Sequence, residues 1–231
     1  MTFGALRLLT VSAASASCLA GQLAADPWGD FRAFCLPDGK ALGQTNTGIE
    51  DAGWITGGNV TPELVSAYVI LSEPGVIDQG MAITDGLVPP DLSAFMQSRA
   101  EWAAPALAAS VESGEILTSE PYILRRRSGV ENGLAMVECK LFSSSSDTLA
   151  AADDLAASVA GSGQLTDHIW WSQIAIPNRA AILELSVNPN IEGPVANVEV
   201  VRFDEFASVH TLAASGIEMK IGVHALTIFK A

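Results

Sequence analysis

Two runs of alternating residues, Tyr122 to Arg127 and Leu134 to Phe142, stand on either side of Ser128 to Gly133, and the joint ends in Asn132-Gly133. Period-two patterning marks half-buried strands, and Asn-Gly supplies the positive φ that a tight hairpin turn needs. An antiparallel pair is therefore built into the middle of the chain. Further strands are expected at His168 to Ile176 and Ala181 to Val187, joined through Pro177-Asn178-Arg179, and at Val195 to Phe203 and Ile221 to Phe229.

Helical spacing separates these runs. Trp28, Phe31 and Phe34 or Cys35 recur along one stripe at 28–36, and Asn46 or Thr47 is suited to cap a short helix at 46–54. Asp91 caps a longer helix carrying Leu92, Phe95, Arg99 and Trp102, which Pro105 should kink or end. Thr61-Pro62 reads as a helix start, yet Tyr68-Val69-Ile70-Leu71 suits a strand equally, so that segment stays open. The serines at 143–146 read as a loop and cap before a helix at 147–160 closed by Gly161, and a last helix fits Glu205 to Ser215. The expected fold is a single α+β domain over 26–231: an antiparallel sheet of hairpins with helices packed on one face.

Residues 1–25 carry no acid, one cation at Arg7, an apolar stretch from Leu8 and small residues at the end. This is the layout of a secretory signal peptide. Cleavage is expected after Ala25, with Ala20 the next choice. The competing reading is an ordinary N-terminal helix of a cytosolic protein. Cys18 raises a second alternative, a lipid attachment site; Ser17 precedes it, but Leu is lacking three positions earlier, so a lipid anchor is not preferred. No stretch approaches the ~18 apolar residues of a spanning helix, so the mature chain is expected to be soluble and periplasmic or secreted.

Charge narrows the partners. Twelve Lys and Arg stand against 26 Asp and Glu, a net charge of −14, and loss of Arg7 with the leader leaves 11 bases and −15. Such a surface repels phosphate backbones and speaks against nucleic acid. Export would leave two cysteines, Cys35 and Cys139, in an oxidising space. Alternation sends Ala135, Val137, Cys139 and Leu141 to the inner face and Glu138 and Lys140 to the other, while Cys35 lies on the aromatic stripe. We expect these two to pair; the competing reading is a pair of inert buried thiols.

Phe31-Arg32-Ala33-Phe34-Cys35 followed by Ala52-Gly53-Trp54, with a second cysteine in a mid-chain strand, resembles a family of small exported proteins and lipoproteins of Gram-negative bacteria. The resemblance implies export and the disulfide. That family has no assigned activity, so the resemblance implies nothing about chemistry.

Neither G-x-G-x-x-G, a Walker loop, H-E-x-x-H nor G-x-S-x-G occurs, and no cofactor is expected. The histidines are His168, His210 and His224, none spaced with another for metal. Asp167-His168 would make a poor dyad because neighbouring strand residues face apart. Arg125-Arg126-Arg127 is the cationic feature; Arg125 and Arg127 share a face and are candidate anion ligands, against the plainer reading of a solvated strand end or pairing with nearby Glu. Trp170 and Trp171 point to opposite faces, and one of them, with His168, is a candidate ligand contact. Asp153-Asp154 and Glu50-Asp51 read as solvated helix faces rather than calcium sites.

The expectation is an exported, non-catalytic binding or accessory protein of the envelope, its partner an envelope protein or a small ligand. An envelope hydrolase using a carboxylate or His, and a subunit of an envelope assembly, are the alternatives.

Overall fold

The computed structural model describes residues 26–36, 41–72, 92–131, 133–145, 163–166, 169–174, 195–203 and 218–230. The expected leader with Cys18, the helices at 147–160 and 205–215, and the strand at 181–187 lie outside the described residues, as do His168 and His210.

Among the described residues eight strands form one antiparallel sheet. They are β1 Ile55–Thr56, β2 Ile116–Ser119, β3 Tyr122–Glu131, β4 Leu134–Ser143, β5 Gly163–Thr166, β6 Ile169–Ile174, β7 Val195–Arg202 and β8 Ile221–Lys230. Their order is β1-β2-β3-β4-β8-β7-β6-β5. The central hairpin is in register along its whole length, from Tyr122 opposite Ser143 to Glu131 opposite Leu134, and Gly133 takes φ +79° in the turn. β8 then inserts between β4 and β7, with Cys139 opposite Ala225 and Ala225 opposite Val198.

Among the described residues four helices pack on the sheet: α1 Pro27–Cys35, α2 Asn46–Glu50, α3 Pro62–Ser72 and α4 Leu92–Glu112. Asp26 caps α1 by accepting from the Gly29 N–H at 3.1 Å, and Pro27 at the first position gives up no needed donor. The open question at 62–72 resolves as helix, because Thr61 accepts from the Leu64 N–H and Pro62 starts the turn. α4 does not end at Pro105 but runs on to Glu112. Leu107 and Ser110, beyond the proline, are buried on it, so packing outweighs the one hydrogen bond that the proline ring removes.

The α+β class and the β3–β4 hairpin are as expected, but β6, expected to form a second hairpin with 181–187, is flanked by β5 on one side and β7 on the other, and the helices divide between the two faces of the sheet. On one face Leu117, Leu124, Val137, Cys139, Leu141, Val200 and Val223 pack with Phe31, Phe34 and Cys35 of α1 and with Leu36, Leu42, Ile49 and Trp54. On the other, Ile116, Phe142, Val201 and Phe203 pack beneath Leu64, Tyr68, Ile70 and Leu71 of α3 and Ala103 and Leu107 of α4. Both faces hold enough apolar surface to need a cover, so a single helical layer would leave one of them wet. Among the described residues no helix is long and apolar enough to cross a membrane.

Candidate functional site

The disulfide predicted from the two cysteines is present. Cys35 and Cys139 are joined, at a sequence separation of 104 and with Cα atoms 5.9 Å apart. Both residues are fully buried, and Thr227 donates its hydroxyl to the Cys35 carbonyl at 2.6 Å. The bond ties the end of α1 to the centre of the sheet, a place reached because Cys139 lies on the α1 face and Cys35 ends the aromatic stripe.

The three arginines follow strand alternation. Arg126 points to the disulfide face and is 1% exposed. Its Nε donates to the Phe34 carbonyl at 3.3 Å, one terminal nitrogen to Asn46 Oδ1 at 2.9 Å and the other to the Leu42 carbonyl at 2.8 Å. Asn46 in turn donates to the carbonyls of Gly114 and Arg126. Burial lowers the Arg126 pKa from its ordinary value. One guanidinium thus gathers the end of α1, the following loop and the start of α2 onto β3, and all three of its partners are neutral.

Arg125 points to the opposite face, into a cluster of charges beneath α3. It donates to Ser110 Oγ at 3.0 Å, Tyr68 Oη at 3.3 Å and Glu138 Oε2 at 3.2 Å, and stands 3.5 Å from Glu115. Lys140 Nζ donates to Glu138 Oε1 at 2.6 Å and lies 4.9 Å from the Tyr68 ring centre, within cation–π range. His224 sits between two carboxylates: Nδ1 is 3.4 Å from Glu199 Oε2, and Nε2 is 3.3 Å from Glu138 Oε1, at ion-pair distance but without hydrogen-bond alignment. Burial works to raise the Glu138 pKa, but His224 and Lys140 beside it prevail and hold it well below the usual carboxylate range. Register builds this cluster, since Arg125, Lys140, His224 and Glu199 are successive cross-strand partners on β3, β4, β8 and β7.

Of the candidate anion ligands, Arg125 is buried with its donors directed to protein oxygens, while Arg127 is 63% exposed at its side chain and 3.8 Å from Glu115. The two share a face but not an environment. Trp170 and Trp171 lie on β6, opposite Val200 and Glu199 respectively. No motif in the sequence marks His224 as lying between Glu138 and Glu199, although the hairpin register alone brings Glu138 opposite Arg127 and Lys140 opposite Arg125.

A cleft of about 420 Å³ opens beside β3, lined by Thr45, Asn46, Glu50, Glu115, Arg126 and Ser128 among others. Its walls are polar and carry both signs of charge. Among the described residues no group of three or more His, Cys, Asp or Glu is placed to hold a metal ion. Comparison with protein-family models, with curated proteins and with solved structures finds no match for this chain.

Proposed function

We propose that this chain is an exported binding or accessory protein of the cell envelope, working in an oxidising compartment without catalysing a reaction. The observation that carries the reading is the Cys35–Cys139 bridge at the centre of the fold, because intramolecular disulfides persist where the medium is oxidising. The acid-poor, apolar first 25 residues fit a leader that would take the chain there, and the family resemblance points the same way. The polar cleft between α2 and β3, with Arg126, Glu50 and Glu115 on its walls, offers a place for a small hydrogen-bonding ligand. Osmotic-shock fractionation with N-terminal sequencing tests the reading: it predicts a processed chain in the periplasm or medium, starting at Asp26 or Gly21. An unprocessed chain in the cytosol would refute it.

A hydrolase is the second reading, favoured by His224 held between Glu138 and Glu199. Such an arrangement orients an imidazole and supplies a base. It predicts turnover of simple ester or phosphoester probes that His224→Ala abolishes; absence of turnover by the wild type removes this reading.

A further inference from the structure

β3 is longer than the strand beside it. β4 pairs with the whole of Tyr122–Glu131, whereas β2 pairs only from Tyr122 to Arg125. The Arg126 N–H still reaches the Glu115 carbonyl on the β2 side. From Arg127 to Glu131 no strand among the described residues flanks that side, and all five residues are exposed, Val130 to 68%. Because N–H and C=O groups alternate along a strand, the side to which the Arg126 N–H points is also the side of Ser128 and Val130. Two residues thus present their backbone donors and acceptors at an open edge, the feature that templates strand addition.

The sequence at this edge complements itself. Laid antiparallel against its own copy about Gly129, Ser128 of one chain faces Val130 of the other, and Arg127 faces Glu131. The two Ser128:Val130 pairs then have their edge groups directed at each other and close four hydrogen bonds. The central pair is glycine opposite glycine at the non-hydrogen-bonded position, where Cα atoms approach to ~4.5 Å. A Cβ at Gly129 would meet nothing within 4 Å among the described residues. Each Arg127 meets a Glu131 directly across the ladder, an opposite-charge pair that occurs twice by symmetry.

We propose that the 127–131 edge of β3 is an interaction surface for a second copy of this chain, joined by antiparallel pairing about Gly129 into a two-fold dimer. Five residues a side bury less than the ~1,000 Å² of a stable interface, so association is concentration-dependent. The proposal stands apart from the compartment in which the protein works.

Sedimentation velocity of the full chain over a concentration series tests it, and a monomer–dimer equilibrium is expected. Val130→Pro deletes an edge donor but no bond to β4, and should weaken the dimer about tenfold or more. Arg127→Glu and Glu131→Arg should each weaken self-association about tenfold by setting like charges across the ladder. Mixed one to one, the two charge variants should associate with each other, since both cross-pairs are again opposite in sign; this arm holds even if Val130→Pro fails to fold. A chain that stays monomeric into the millimolar range overturns the proposal, and so does a dimer unchanged by the charge variants or a mixture that does not associate.

Discussion

Neighbouring arginines on β3 provide a sharp test of the packing. Arg126→Met keeps the length and apolar stem of the side chain but removes the donors to Phe34, Leu42 and Asn46. A buried acceptor left without its donor costs at least ~1 kcal/mol, giving ~3 kcal/mol for the three. Relief of the buried charge, whose cost is visible in the lowered pKa, returns part of this. The expected net loss is therefore ~2–3 kcal/mol. Arg127→Met, one residue on and 63% exposed at its side chain, should stay within ~0.5 kcal/mol of wild type. Urea denaturation of both variants and wild type at one pH and salt measures the difference as a shift in midpoint at constant slope. Hydrogen exchange should also rise at the backbone of residues 41–50, which Arg126 holds down. Equal midpoints for the two variants would refute the claim that Arg126 organises this face.

Other expectations follow from the same contacts. The Glu138 pKa is depressed from an ordinary value of 4.5, so the carboxylate contributes stability that is full above that pH and is lost as pH falls below it; Glu138→Gln should flatten the acid limb of stability against pH, and an unchanged limb would contradict the pairing with Lys140 and His224. Gly222→Ala places a Cβ 2.5 Å from Phe203 Cζ and 3.1 Å from a Leu71 methyl, both in the packed layer under α3. Overpacking of this kind costs ~1–3 kcal/mol, which thermal melting would register; no loss would mean that the ring yields freely.

Much of this was legible in the sequence, and the parts that were not share a cause. The β3–β4 hairpin, the inward thiol of Cys139 and the separation of Arg126 from its neighbours all follow from a period of two, which fixes direction without any knowledge of partners. α1 was readable because Trp28, Phe31 and Phe34 recur at helical spacing. β1 and β2 escaped notice: two and four residues are too few to show a period. The charged cluster was hidden by the same alternation that revealed the cysteines. Glu138 and Lys140 read as a wet face, but Phe142 and Ile123 on that face call for a cover. α3 then encloses the charges, which are tolerated because Arg125, Lys140 and His224 lie among Glu115, Glu138 and Glu199. Pro105 does not end α4, because tertiary packing overrides the local penalty.

The bridge also sets the scale of the fold's stability. Closing a loop of 104 residues restricts the unfolded chain by up to ~4.7 kcal/mol on the chain-entropy model. An exported protein of this fold carries the bond as the cell makes it. Cells lysed into alkylating agent under denaturing conditions without reductant, followed by intact mass and peptide mapping, measure it directly. Cys35 and Cys139 should be unalkylated and linked in one crosslinked peptide pair; both cysteines recovered as alkylated thiols would contradict an oxidising compartment and the bridge together.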